Sequence, residues 1–453
     1  MQRRTFLKTT GLLTTSTLLA NPENLYTEAQ TLPKNGSVLI LGAGFAGLSA
    51  AYMLHEKNIK FTILEARNRI GGRVFTNFLA SGLHTELGAE WIGASHTNLI
   101  NACQEMNLKL IDHRFEGHLT LNGVYQTPQN ILKDAGWEKK IQDLYKNFSR
   151  LSKNEAIKLD KTDWWRYLIN QGISEEALEI RELNDSTDFG ETIRNVSAYA
   201  ALSEYAGSSP NNEMDFKIEG GNGRLAQAIS QKIGTDKILL NKKAVSVIQT
   251  KQNVEITCED GSKYITDRLI CAIPAFAVSK INWNPVFPTE KQEAIQQLQY
   301  ARIIKSAFSF SERFWKAENF SMITDTLPHY IFHTTQNQSG TSGMLTSYTI
   351  GDKAPVFAKL SQAQKIQEIC QALKPAFGNI EKYAEKNISY YWGNDPFSQG
   401  AYANYDVGQW FGLREMVAKP FKNTVFAGEH IADWQGFMEG AFETGILAAK
   451  ALT

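Results

Sequence analysis

Two short apolar runs, Val38-Leu39-Ile40-Leu41 and Phe61-Thr62-Ile63-Leu64, open the ordered part of the chain and predict buried strands. Between them Gly42-x-Gly44-x-x-Gly47 marks a turn, and a helix is expected to start across Ala46–Ala50. The pattern then changes. From 133 to 212 the chain is rich in charge, with Ile141, Leu144, Tyr145, Phe148 and Leu151 at amphipathic helical spacing, which predicts a helical insertion. Phe216-x-Ile218-x-Gly220-Gly221-x-Gly223 opens a further helix, and short strands are expected at 244–250, 254–259 and 269–273, with Asp260-Gly261 as a hairpin turn among them. Pro274, Pro285 and Pro288 punctuate the next departure, which leads into a strand-like run over 302–310.

The first of these units carries chemistry. Gly42 permits the tight turn, Gly44 lets a pyrophosphate approach the backbone, and Gly47 lets the helix pack on the sheet. The free N–H groups around Phe45 and Ala46 then point at phosphate. Glu65 closes the second strand 18 residues after Gly47, near the ~20 expected of an acid that binds ribose hydroxyls, and it disfavours a 2′-phosphate. Beyond it, Ala66, Arg67, Arg69, Gly71, Gly72 and Arg73 place cations and a pliable backbone where a pyrophosphate would lie, more than a nicotinamide cofactor requires, which favours FAD.

Lys plus Arg and Asp plus Glu both total 47, so no net field recruits nucleic acid, and a small-molecule substrate is expected. The 453 residues suffice for two or three domain-sized units. Arg3-Arg4-Thr5-Phe6-Leu7-Lys8 followed by a weakly apolar stretch to Ala20 reads as a twin-arginine export signal, which implies the Tat translocon as a transient partner and a periplasmic or secreted destination. The mature start is expected between 20 and 35, and no stable membrane span is expected. Cys103, Cys258, Cys271 and Cys370 are far apart and lack a CxxC spacing, so no metal site is expected. Oligomeric state is written in no motif.

Several blocks together resemble the flavin-containing amine oxidase family. They are the glycine turn, the Glu65–Arg73 string, Glu86-Leu87-Gly88-Ala89-Glu90-Trp91, Lys305 ahead of Phe314-Trp315, Tyr391-Trp392-Gly393 with Ala401-Tyr402, and Val425–Glu429 with Gly436–Ala441. The resemblance implies an α/β fold: a Rossmann-like FAD-binding domain, of the glutathione-reductase type, interleaved with an α+β substrate-binding domain. It divides the chain into a leader (1–30), FAD-binding parts at 34–90, 215–275 and 386–453, and substrate-domain parts at 91–214 and 276–385.

The same resemblance assigns roles. Gly88, Ala89, Glu90, Trp91, Gly428, Glu429, Phe437 and Met438 join the glycine turn as FAD-contacting residues, and the backbone at Val245 meets the adenine. Lys305, Trp392, Tyr402 and Phe437 form the candidate catalytic set. Lys305 is placed to hold a water against flavin N5, and Tyr402 and Phe437 to flank the amine, with Phe437 replacing a second tyrosine. Ala401 stands where monoamine oxidases carry the cysteine that bonds the flavin, so FAD is expected to be non-covalent. The implied reaction is hydride transfer from an amine to flavin N5 with O2 reduced to hydrogen peroxide.

Substrate class is the open point. Strand alternation turns Arg302 away from Lys305. Glu90 stands near where amino acid oxidases hold a substrate carboxylate with arginine, so either it receives a second cation or it is paired structurally. Arg166, Arg181 or Arg194 in the cap are the arginines that an L-amino acid oxidase would use. A desaturase or protoporphyrinogen-type oxidase is a more distant alternative that needs neither Lys305 nor the aromatic pair.

Overall fold

The computed structural model describes residues 25–131 and 135–453. The twin-arginine segment and most of the range expected for the mature start lie outside the described residues. The two apolar runs form adjacent parallel strands, Ser37–Leu41 and Lys60–Leu64, with Val38 opposite Phe61 and Leu41 opposite Leu64. Their sheet has five parallel strands in the order Thr424–Phe426, Arg268–Cys271, Ser37–Leu41, Lys60–Leu64, Ile238–Leu239, so segments from both ends and the middle of the chain build one layer.

Phe45–Glu56 is a helix buried without interruption from Phe45 to Leu54, because the sheet covers one side and the C-terminal helix Met438–Leu452 covers another. A helix apolar all round is stable only when enclosed in this way. Ser49 Oγ donates to the Phe442 carbonyl at 2.8 Å and ties the two helices together. The turn before the first helix has Gly42 at φ 98°, a left-handed value that favours glycine. At Gly47 a Cβ would stand 1.9 Å from the Gly42 carbonyl oxygen, so the helix cannot sit this close to its own turn with any side chain there.

The second layer is a seven-stranded sheet in the order Ala384–Tyr391, Ile303–Phe310, Gly343–Ile350, Tyr330–His333, Phe320–Thr324, Glu116–Leu121, Val124–Gln126. All neighbours are antiparallel except the parallel pair Phe320–Thr324 and Glu116–Leu121. Ile303–Phe310 is inside this sheet and buried at every position except Ser309, which places Lys305 in the interior.

The cap consists of the helices Ala135–Asn147, Lys153–Asp160, Trp164–Asn170, Glu175–Phe189 and Ala198–Gly207. Ser152, Asp163, Ser174 and Ser197 each accept a backbone N–H at a helix start, which explains why these short helices begin where they do. The amphipathic stripe reaches beyond its helix, which ends at Asn147; Phe148–Arg150 is a separate 3-10 turn, and Leu151 follows in extended backbone.

One expectation is corrected. Asp260-Gly261 does not lead from 254–259 to 269–273. It joins Val254–Cys258 to a strand the hydropathy pattern did not reveal, Lys263–Thr266, in a four-stranded sheet with Ala244–Gln249 and Asn282–Asn284. Arg268–Cys271 belongs instead to the parallel sheet. Ile265, the strand's aliphatic residue, is 66 % exposed while Tyr264 and Thr266 face inward, so hydropathy does not follow burial along this strand.

Candidate active site

One cavity of about 530 Å³ runs between the parallel sheet, the seven-stranded sheet and the cap. Gly42, Gly44, Phe45, Ala46, Glu65, Ala66, Arg67, Gly72 and Arg73 line it at the sheet end. Gly88, Ala89, Glu90, Trp91, Val245, Gly428, Glu429 and Met438 line it further along, and Lys305, Trp392, Tyr402 and Phe437 also reach it. Of the residues singled out from the sequence, Gly47 lies behind the wall, packed on Gly42. Arg69 is outside the lining too: its guanidinium sits over the Phe75 ring at 4.2 Å.

The sheet end fits the adenosine half of FAD. A Cβ at Gly44 would meet only the Gly72 Cα, at 3.9 Å, so two bare backbone positions face each other across an open groove. Glu65 accepts the Ala43 N–H at 2.7 Å and the Arg67 N–H at 2.8 Å, one on each oxygen, and keeps lone pairs for ribose hydroxyls. Burial pushes its carboxyl above the usual range, and those two N–H groups work against the shift. Arg67 is held by a bidentate pair with Asp395 at 2.6 and 2.7 Å, and Arg73 by Glu429 at 2.7 Å. Glu429 also accepts from Gly436 N at 2.9 Å. Burial opposes its charge most, but Arg73, His430 and the Gly436 N–H together keep the carboxyl below its ordinary value.

At the other end, Lys305 is 3 % exposed. Its Nζ donates to Glu90 Oε2 at 2.8 Å, while Glu90 Oε1 accepts from Lys217 Nζ at 3.0 Å and lies 3.0 Å from His113 Nε2. Burial pulls Lys305 below the ordinary lysine range, and the Glu90 charge resists that pull. Burial also works against the Glu90 charge, but Lys217, Lys305 and His113 together hold its carboxyl well below the usual carboxylate range. Glu90 is therefore paired, and the reading in which it receives a second substrate cation is set aside.

The aromatic walls are fixed by their polar ends. Trp392 Nε1 donates to the Leu87 carbonyl at 2.8 Å. Tyr402 donates its hydroxyl proton to the Asp188 carbonyl and accepts from Tyr348 at 3.4 Å. Phe437 packs edge-on against His96 at 5.1 Å and Trp434 at 5.7 Å. Ala401 lines the cavity without a thiol, and the four cysteines are buried away from it.

The arginines that an amino acid oxidase would need are elsewhere. Arg302 is pinned by Glu191 at 2.8 and 2.9 Å and by Asp352 at 2.6 Å. Arg181 pairs with Asp185 at 3.2 Å, Arg194 lies 3.7 Å over the Trp165 ring, and neither they nor Arg166 reach the cavity. Among the described residues no group of three or more His, Cys, Asp or Glu is placed to hold a metal, and no helix is long and apolar enough to cross a membrane.

Lys217, His113, Tyr348, Asp188, Glu204 and Glu213 were not anticipated from the sequence. Lys217 stands between Phe216 and Ile218, and its burial could not be told from an ordinary strand lysine. The acids sit in a cap whose charge reads as a solvated surface until the helices are folded over the cavity.

The fold and the site together define a dinucleotide-binding oxidoreductase whose cavity carries aromatic walls. The chain belongs to the flavin containing amine oxidoreductase family, which it matches over residues 45–453, and it is an FAD-dependent amine oxidase. It is 25% identical over 465 residues to amine oxidase [flavin-containing] B of Homo sapiens, covering 92% of this chain and 85% of that protein. It is 23% identical over 446 residues to the probable flavin-containing monoamine oxidase A of Dictyostelium discoideum, covering 92% and 97%. Among solved structures it shares its fold with putrescine oxidase bound to putrescine (TM-score 0.82, 21% identity, 92% and 98% covered). Cyclohexylamine oxidase from Brevibacterium oxydans IH-35A is similar in the same degree (TM-score 0.82, 20% identity, 92% and 99% covered).

Proposed function

We propose that this enzyme converts a primary amine, O2 and water into an aldehyde, ammonia and hydrogen peroxide. FAD, when bound, would supply the acceptor for the amine's hydride and the relay by which those two electrons reach O2. The observation that carries the reading is the convergence, in one cavity, of a buried ammonium at Lys305 with the aromatic side chains of Tyr402, Phe437 and Trp392.

Tyr402 and Phe437 supply apolar faces against which a neutral amine is oriented, and the fixed Tyr402 hydroxyl keeps its ring from swinging. Lys305 keeps positive charge in a dry pocket, where it stabilises negative charge developing on O2. Glu90 and Lys217 set the position of that ammonium. A coupled peroxide assay across monoamines, diamines and L-amino acids tests the reading; product from L-amino acids alone would overturn it in favour of the amino acid oxidase.

Ala401 supports non-covalent attachment. Acid precipitation is expected to release yellow FAD into the supernatant, and flavin retained on the pellet would contradict it. The Arg3-Arg4 segment supports export of the folded, cofactor-loaded protein. Replacing both arginines with lysine is expected to leave the protein in the cytoplasmic fraction, and unchanged export would remove the Tat pathway from the account.

A further inference from the structure

The ammonium of Lys305 shares one carboxylate with a second buried lysine, and each lysine takes its own oxygen. Glu90 Oε2 accepts from Lys305 Nζ at 2.8 Å, and Glu90 Oε1 accepts from Lys217 Nζ at 3.0 Å. Lys217 enters from the strand Phe216–Ile218, on the far side of Glu90 from the strand that carries Lys305. Lys217 and Glu90 are each 2 % exposed, so water hardly screens attraction or repulsion within this triad.

The other titratable groups in this surround are held neutral or engaged elsewhere. His113 Nδ1 has no partner among the described residues, so the ring proton sits on Nε2 and faces Glu90, and burial keeps the imidazole below its usual range. His84, beyond Lys217, is pushed down to about 4, chiefly by burial. Glu86 lies 3.9 Å from Lys217 Nζ, accepts the Asn222 N–H at 2.9 Å and the Thr76 hydroxyl at 2.8 Å, and is raised by burial. On the two flanking strands, burial raises Tyr348 well above its ordinary value, and Tyr390 donates its hydroxyl proton to Asp395.

The rest of the surround is aromatic. The rings of Trp91, Phe332 and Tyr348 lie 5.3, 5.5 and 5.8 Å from Lys305 Nζ, where they attract a cation but take no proton from it. The charge on Lys305 is therefore governed by two opposed neighbours. Glu90 favours the ammonium across a short contact, while Lys217 repels it and draws on the same negative charge. Burial and Lys217 pull Lys305 down from the ordinary lysine range, and Glu90, with a smaller part from Glu86, holds it up.

We propose that Lys217 is a positioning residue of the oxidase reaction: acting through Glu90, it sets how firmly the Lys305 ammonium keeps its proton, and with that the pH range of the O2 step. This rests on the oxidase reading above and names what regulates that same site. Glu90 by itself would lock the charge on Lys305. Lys217, sharing the carboxylate, loosens that lock without touching the cavity.

The test follows the charge of Lys305 in the oxidised, FAD-loaded enzyme at rest, by NMR of lysines carrying 13C at Cε, with the Lys305 signal assigned from its absence in Lys305→Met. Lys217→Met is expected to move the titration midpoint up and Glu90→Gln to move it down, each by about one pH unit or more. Lys217→Arg, which keeps the charge, is expected to stay near wild type. General loosening of the site would wet the lysine and raise the midpoint in all three. The alkaline limb of reoxidation by O2, read by stopped flow across pH, is expected to follow the midpoint in each variant. An unchanged or lowered midpoint in Lys217→Met, or an equal rise in Lys217→Arg, would overturn the proposal. Those two variants decide it by themselves if Glu90→Gln does not fold, because in them Glu90 keeps Lys305 and His113 as partners. Moved midpoints beside an unmoved O2 profile would uphold Lys217 as the residue that sets the charge and overturn the part of that charge in the O2 step, so the two failures are told apart.

Discussion

Lys305→Met is expected to slow the reaction of the amine-reduced enzyme with O2 by about 10²-fold, the loss typical of removing one preorganised charged group. The effect follows from where the ammonium is held. Lys305 is in the middle of a buried strand, paired across to Tyr348 on one side and Tyr390 on the other, and its Nζ is pinned on Glu90. Methionine keeps the length and the apolar stem, so the strand and the cavity wall persist while the charge disappears. Glu90 retains Lys217 and His113, which spares it from becoming an unpaired buried carboxylate. Stopped-flow mixing of reduced enzyme with O2 reads the step directly, and the amine half-reaction followed anaerobically serves as the internal control. Reoxidation as fast as wild type would remove Lys305 from O2 chemistry.

Gly44→Leu is expected to give a folded protein without FAD. Gly44 has φ −75° and ψ 179°, extended backbone that any residue adopts, and a Cβ there meets nothing closer than 3.9 Å. Leucine therefore brings no backbone strain. Its side chain instead enters the groove between the two bare backbones, where the pyrophosphate would pass. The contrast is Gly47, where a Cβ would collide with the Gly42 carbonyl and displace the helix itself. The absorbance ratio near 450 nm to 280 nm after incubation with excess FAD, beside a circular dichroism melt, separates the two outcomes. A yellow Gly44→Leu protein would mean that the dinucleotide does not lie in this groove.

The strand, glycine turn, helix and second strand at 37–65 were legible because each is a short-range instruction: an apolar run, a backbone freed of Cβ, and an acid at a fixed distance. The strand at 303–310 was legible for the same reason, and alternation alone turned Arg302 away from Lys305. What could not be read was pairing. Glu90 meets Lys305 across 215 residues and Lys217 across 127, and Arg67 meets Asp395 across 328. Residue type cannot tell a free carboxylate from a paired one. Lys263–Thr266 stayed hidden because its aliphatic residue, Ile265, faces solvent while Tyr264 and Thr266 face inward.

By itself, the order of residues marked the first glycine turn as a place for a dinucleotide, through local backbone geometry, and carried the short motifs whose resemblance pointed to the amine oxidases. Only the tertiary structure decided which charges are spent, and on which partners. Glu90 loses its freedom to two lysines brought in by other segments, and Arg302 is taken up by Glu191 and Asp352, because burial and proximity, and not identity, set the electrostatic value of a charged side chain.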